Sequence, residues 1–179
     1  AEAGLDEVRF DIGATGYSLE RIALARKAIR NITVEIPAIP EHREKLARLL
    51  PRMEEAGVKY LNLHQLRLTP HNAGHLLKRD YTYYPAEKPV VVESELAALD
   101  ILNSAKEQGL SIGVNYCSFA FKNRFQQAGF RKRLAENLLQ DDIPVTEQGY
   151  LRAGRGAEIA YEAFRIADAG KLPDPSSTL

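Results

Sequence analysis

A chain of 179 residues with 45% hydrophobic side chains is long enough for one globular domain with a substantial buried core. Lys and Arg together number 24, as do Asp and Glu, so no global field favours nucleic acid or an anionic membrane. The single cysteine, Cys117, excludes an internal disulfide and any metal site built only from thiolates of this chain. No apolar run approaches the roughly 20 residues of a membrane span, and no signal peptide opens the chain, so we expect a cytoplasmic protein.

Both ends of the chain differ from the periodic segments between them. Residues 1–5 resemble the last turn of a helix closed by Gly4, which suggests that a preceding segment is missing. Residues 171–179 form a Pro- and Ser-containing tail without periodicity, and we predict that this tail is disordered. The expectation is one α/β domain over residues 1–170 that is a fragment of a larger protein.

Hydrophobic periodicity predicts strands alternating with helices over the first two thirds of the chain. In chain order these are strand 7–12, helix 18–30, strand 32–38, helix 42–56, strand 58–66, helix 95–108 and strand 110–117. The last of these helices is expected to use Ser94 as N-cap and to bury Leu96, Leu99 and Leu102. Three strand–helix–strand passages in a row favour parallel strands with right-handed crossovers.

Three further segments carry patterns with more than one interpretation. Residues 67–93 are long enough for a lid or a binding loop. The basic stretch 119–140 could bind nucleic acid, but burial of its four phenylalanines under a solvated basic face is favoured. The glycine-rich segment 149–156 indicates unusual backbone angles more than a phosphate site, and a last helix is predicted over residues 157–170.

The polarity of the strands is the sharpest physical signal in the sequence. Parallel strands covered by helices on both faces are apolar at nearly every position, whereas these strands alternate. Apolar residues such as Val34 and Ile36 oppose Glu35, and Leu61 and Leu63 oppose Asn62 and His64 in the next strand. The sheet is therefore expected to have one apolar face for its helices and one polar face for water, a ligand or another protein part.

The polar residues also come late in their strands. Ligands of α/β proteins bind beyond the carboxyl ends of the strands, so these side chains are expected to converge there. They are Asp11, Glu35, Asn62, His64, Asn115 and Cys117. A solvated face, or an interface with a missing half, remains the other interpretation.

Four segments resemble the later strands of radical S-adenosylmethionine proteins related to the pyruvate formate-lyase activating enzyme. They are residues 4–12, 34–40, 57–63 and 116–118, and the likeness extends over about residues 4–133. The resemblance implies a parallel-stranded partial, half TIM-type barrel of βα units, an open sheet with C-terminal helices. The four strands here would correspond to the family's fourth strand onward.

The family's function depends on a C-x-x-x-C-x-x-C motif after its first strand, and this chain does not contain it. The resemblance therefore implies that the [4Fe–4S] cluster is held by an absent N-terminal half of the same barrel. Reductive cleavage of S-adenosylmethionine by that cluster would give the 5′-deoxyadenosyl radical. This chain would form cofactor- and substrate-side walls, with no metal ligands of its own, and would be inactive alone.

Shared strand parity and position near the strand ends give candidate site residues, and of these Asp11 also matches the family's aspartate. Asp11, Glu35 and Asn62 are predicted cofactor-binding residues, although Gly13 stands where the activating enzyme has lysine, and Glu35 where it has arginine. His64 and Cys117 are predicted catalytic residues nearer the mouth of the barrel. Cys117 would be a hydrogen-atom donor or a ligand to an additional metal centre, against an inert packing role.

Two alternatives accompany this interpretation. His71 and His75 are spaced to share a metal on a helix, but Pro70 and Gly74 favour a loop at the surface or beside the substrate. The chain could also be a self-contained binding module whose polar sheet face contacts another protein. The substrate, small molecule or protein, is left open, while a membrane or nucleic-acid partner is not expected.

Overall fold

The computed structural model describes residues 4–85, 88–138, 144–153 and 157–159. Two compact units divide the chain, one over Ala1–Phe119 and one over Ala120–Leu179. A single domain over residues 1–170 stays a prediction, and the predicted tail lies outside the described residues. No helix in the described ranges is long and apolar enough to cross a membrane.

The first unit contains a regular succession of strands and helices. Its elements are β1 (Glu7–Phe10), α1 (Glu20–Ala25), β2 (Asn31–Pro37), α2 (Arg43–Glu55), β3 (Tyr60–His64), α3 (Ala73–Leu76), β4 (Tyr83–Tyr84), β5 (Val90–Val91), α4 (Val92–Glu107) and β6 (Gly113–Cys117). Strands β4 and β5 pair antiparallel within the long connection between β3 and α4.

The principal sheet has four strands in the order β1-β2-β3-β6, and every neighbouring pair is parallel. In the described residues β1 and β6 each have one neighbour in this sheet, so the sheet is open. The predicted α/β class and its run of parallel strands are therefore confirmed. This architecture is consistent with a partial TIM-type barrel.

One face of the sheet packs into the hydrophobic core. Alternate residues of β2 and β3 are fully buried together with apolar side chains of α2 and α4. The strand residues are Ile32, Val34, Ile36, Leu61 and Leu63, and the helix residues include Leu46, Leu50, Met53 and Ile101. Burying each such side chain contributes on the order of 1.5–3 kcal/mol, so this face determines how the strands are oriented.

Helix α4 differs from its sequence-based prediction. It begins at Val92, so Ser94 lies inside the helix and is not its N-cap, which is Val91. Leu96 and Leu99 are 57% and 42% exposed, contrary to the predicted buried stripe. The buried residues are instead Ser94, Ala97, Ala98, Ile101 and Ala105, and all of these except Ile101 are small enough to permit a close approach to the sheet.

The second unit contains short helical and strand segments. Helix α5 (Phe119–Phe121) spans the boundary and is followed by a π-helix over Lys122–Gln127, α6 (Ala128–Leu138), β7 (Leu151–Ala153) and β8 (Ala157–Ile159). Strands β7 and β8 pair antiparallel. The predicted helix over residues 157–170 therefore begins as a strand, and its remainder lies outside the described residues.

The phenylalanines of the basic stretch also differ from prediction. Phe119 is buried, but Phe121, Phe125 and Phe130 are exposed, and among the described residues of α6 Ala128, Arg131 and Ala135 are buried. One of these is the buried Arg131, whose guanidinium donates to Asn123 and to the Gln148 carbonyl. The backbone of Gly149 has a φ of 80°, and a Cβ there would lie 2.7 Å from Cβ of Arg131, so this turn requires glycine.

Ser94 generates a stability prediction. Its buried hydroxyl donates to the Ala38 carbonyl at 2.7 Å and accepts from the Leu66 N–H at 2.8 Å, linking α4 to the ends of β2 and β3. Ser94→Ala leaves both backbone groups without these partners, so the free energy of unfolding should fall by about 2 kcal/mol in urea denaturation. Ser104→Ala, on the same helix, is the control and should change it by less than about 0.5 kcal/mol.

Candidate functional site

The second face of the sheet carries polar residues in register on neighbouring strands. We call it the polar face, and its members are Glu7, Arg9, Asn31, Thr33, Glu35, Pro37, Tyr60, Asn62, His64, Gly113, Asn115 and Cys117. Side chains two residues apart on a strand lie on the same face, so this set follows directly from the strand register. The alternating pattern in the sequence therefore predicts the observed arrangement.

The backbone pairing arranges the polar face in rows. Asn62 lies between Glu35 and Asn115 as the register partner of both. His64 is in turn the register partner of Cys117 on β6. The sheet therefore places four of the predicted site residues, Glu35, Asn62, His64 and Cys117, on two adjacent rows near the carboxyl ends of the strands.

A hydrogen-bonded network crosses β1, β2 and β3 on this face. The Arg9 guanidinium donates from Nη1 to Glu35 Oε2 at 2.9 Å and from Nε to Glu7 Oε1 at 3.0 Å. The buried Thr33 hydroxyl donates to the same Glu7 oxygen at 2.9 Å. His64 Nε2 lies 2.6 Å from Glu35 Oε1. Glu35 is therefore held on both of its oxygens.

These contacts shift the ionisation of the two carboxyl groups. Burial raises the pKa of Glu35, but hydrogen bonds from His64 and Arg9 outweigh it and hold the pKa below its ordinary 4.5. The pKa of Glu7 is lowered mainly by the Thr33 hydroxyl and then by Arg9. Both side chains are consequently anionic at neutral pH.

Asp11 occupies a different environment from the network. Strand β1 ends at Phe10, and Asp11 begins the connection that follows it. Its Oδ1 accepts from the Gly13 N–H at 2.9 Å, which forms a tight turn, and a Cβ on Gly13 would lie 3.1 Å from that oxygen. The side chain is exposed at the carboxyl end of β1 and is not drawn into the Arg9 and Glu35 contacts.

The remaining site residues differ in accessibility. Asn62 is half-buried and Asn115 exposed, and neither side-chain amide makes a hydrogen bond within the described part of the chain. Cys117 is 9% exposed and its thiol lies 4.0 Å from the Ser118 carbonyl. The amides are thus available to a ligand, whereas the thiol is close to the limit of solvent access.

The described residues contain no cluster of three His, Cys, Asp or Glu side chains that could hold a metal ion. His75 lies in α3 but His71 precedes that helix, and both are exposed. Because the two histidines do not belong to one helix, the spacing argument for a shared metal does not apply to them.

The sequence pattern predicted no role for Arg9, Glu7 or Thr33. The residue types needed for this contact are visible in the sequence. An arginine on one strand can meet a glutamate on the neighbouring strand diagonally, when the glutamate lies two residues beyond the register partner of the arginine. Choosing Glu35 as the partner required the register of β1 and β2, which pairs Arg9 with Thr33.

Comparison with known proteins adds a relative to this geometry. The chain is 28% identical over 163 residues to a protein of Methanocaldococcus jannaschii named as a candidate glycyl-radical enzyme activating enzyme. This similarity fits a radical S-adenosylmethionine protein. The predicted resemblance to the pyruvate formate-lyase activating enzyme is thereby confirmed.

The match covers 86% of this chain but 42% of the relative, so the chain spans less than half the length of that protein. No family model matches the chain, and no solved structure matches it significantly. The likeness therefore rests on one long alignment together with the parallel sheet and its polar face.

The lowered pKa of Glu35 predicts a specific acid sensitivity. A carboxyl whose pKa is lower folded than unfolded contributes stability above its unfolded pKa, and loses that contribution as pH falls through its folded pKa. Stability should thus decline below about pH 4.5, and Glu35→Gln should make that decline shallower. Urea denaturation from pH 7 to pH 3 measures it.

The control is Glu44→Gln, which removes an exposed carboxylate whose nearest cation, Arg48, is 3.7 Å away. The Glu44→Gln variant should lose stability on acidification as steeply as the original protein does. Identical pH profiles for the Glu35→Gln variant and the original protein would contradict the assignment.

Proposed function

We propose that this chain is the C-terminal portion of a radical S-adenosylmethionine enzyme and forms walls of its cofactor and substrate sites. The proposal is carried by one observation, the polar face in register on four parallel strands, with its accessible groups at their carboxyl ends. The relative named as a candidate activating enzyme supports the same chemistry. The [4Fe–4S] cluster would belong to an N-terminal half.

The residues of this chain do not fit an iron–sulfur cluster. Such clusters take cysteine thiolates as their usual ligands, and Cys117 is the single cysteine. The described residues also offer no alternative group of three ligating side chains. We therefore assign no electron-transfer step to this chain.

The polar face, together with Asp11 at the end of β1, does fit a ligand with hydroxyl, ammonium and carboxylate groups, such as S-adenosylmethionine. Asp11 offers an exposed carboxylate, Asn62 an amide without a hydrogen bond in the described chain, and Glu35 a fixed anion. These three would hold the cofactor by hydrogen bonds and charge. When bound and reductively cleaved, the cofactor supplies the radical that abstracts hydrogen from substrate.

His64 and Cys117 would lie on the substrate side of this site. They are register partners, so one substrate could contact both the imidazole and the thiol. Cys117 would transfer its hydrogen atom to a substrate radical, which breaks S–H, forms C–H and leaves a thiyl radical; the transfer needs a small opening beyond the 9% exposure of Cys117. This role applies to a substrate whose product is not a radical. The relative is named for a glycyl-radical enzyme as its protein substrate, and for a substrate of that kind, whose radical is the product, Cys117 would have the packing role instead.

The cofactor assignment is tested by substituting Asp11 and Asn62 with alanine in the full-length protein. Each loses a hydrogen bond to a charged or polar cofactor group, so S-adenosylmethionine affinity should fall about tenfold. Equilibrium binding measures the affinity and circular dichroism the fold. Asn103→Ala, on the exposed face of α4, is the control and should bind normally. Unchanged affinity in both site variants would remove the assignment.

Cys117→Ser tests the role of the thiol in the full-length enzyme. A hydrogen-atom donor should leave cofactor cleavage running while product is lost at least about a hundredfold, because a serine O–H bond is far stronger than S–H. Chromatography of 5′-deoxyadenosine and of product gives both rates. A packing role predicts lower stability with cleavage and product formation reduced together, and Cys117→Ala should then behave like Cys117→Ser.

A further inference from the structure

The Glu35 carboxylate is the central member of the network on the polar face. Its Oε2 accepts from Arg9 and its Oε1 faces His64 Nε2 at 2.6 Å. An ionised carboxylate has no hydrogen to donate, so the hydrogen in the second contact belongs to the imidazole. Nε2 of His64 is therefore the protonated ring nitrogen, which leaves Nδ1 as the acceptor of the neutral ring.

We infer that Arg9 is a positioning residue for His64, acting through Glu35 to present the bare Nδ1 to an O–H or N–H group of the ligand. The ligand's identity as a radical-enzyme cofactor or substrate rests on the function proposed above. The positioning itself rests only on contacts within this chain. A ligand matched to this site carries a hydrogen-bond donor, such as a hydroxyl or an amine, where it meets His64.

Arg9 is itself held in place from the opposite side. Its Nε donates to Glu7, and Glu7 accepts a second hydrogen bond from Thr33, a residue that is 1% exposed. The order of contacts thus runs from a buried hydroxyl, through two carboxylates and the guanidinium between them, to the imidazole. The buried Thr33 holds this network in place at one end, although the Arg9 side chain in its middle is 59% exposed.

Both carboxylate oxygens of Glu35 already have protein partners, and this limits how Glu35 can contact a ligand. A direct contact from Glu35 to a ligand would compete with Arg9 or His64 for an oxygen that is already engaged. Glu35 therefore offers a ligand its negative charge and not a free oxygen, and it also affects ligand binding through the imidazole that it holds. Carboxylates that orient histidine in this way also occur behind metal-ligating and catalytic imidazoles.

The imidazole state can be read directly in the 179-residue chain. Histidine-labelled protein is examined at pH 8 by long-range proton–nitrogen NMR, with the His64 signals identified by their loss in His64→Gln. We expect a neutral ring with Nε2 protonated and Nδ1 bare. A neutral ring protonated on Nδ1, or one protonated on both nitrogens, would overturn the inference.

Arg9→Gln tests the positioning role in the same spectra. Losing the guanidinium frees Glu35 to rotate, so the His64 nitrogens should move towards the averaged shifts of a mixed tautomer population. Arg43→Gln is the matched control, because it breaks another exposed 2.9 Å ion pair, with Asp100, outside the polar face. His64 signals identical in the Arg9→Gln variant and the original protein would contradict the role of Arg9.

Ligand affinity in the full-length protein supplies a separate readout. Arg9→Gln should weaken S-adenosylmethionine or substrate binding about fivefold to tenfold, and Arg9→Lys should recover part of this loss because it keeps the charge. If the Arg9→Gln variant binds S-adenosylmethionine and substrate with the affinities of the original protein, the inference is overturned. If the original protein binds no S-adenosylmethionine, the proposed function fails, and the NMR result alone decides the positioning role.

Discussion

The burial of alternate residues of β2 and β3 is the constraint on which the rest of the structure depends. Val34, Ile36, Leu61 and Leu63 pack beneath α2 and α4, and their positions determine which way every other strand residue faces. A shift of β2 or β3 by one residue would place Glu35 or His64 in the core and would expose the apolar residues of that strand. The polar face is therefore a consequence of the hydrophobic core.

The same constraint explains why charge gathers on a chain with no net charge. Parallel strands offer side chains only to their two faces, so polar groups excluded from the core collect on the other one. There Glu7, Arg9 and Glu35 alternate in sign across β1 and β2. Such exposed pairs contribute little to stability individually, but together they give His64 a defined orientation.

The residues that stabilise the fold and the residues that could bind a ligand lie on opposite faces of the sheet. Ser94 joins the helix layer to the ends of β2 and β3 on the core side, while the groups available to a ligand lie on the opposite face. Substitutions on the polar face can therefore alter binding without dismantling the core. The parallel strand order directs their accessible ends to one edge, where α/β proteins bind ligands.

The sequence by itself determined the four strands of the principal sheet, their parallel direction and the parity of the polar face, because period-two alternation and helix length are local properties. It also determined the resemblance to radical S-adenosylmethionine proteins and the lack of cluster cysteines. Local pattern did not determine which helix residues are buried, as Leu96 and Leu99 show, because small alanines pack closer to the sheet. Only the tertiary structure decided the contact of Arg9 with Glu35 and of Glu35 with His64, because it depends on register between strands far apart in the chain.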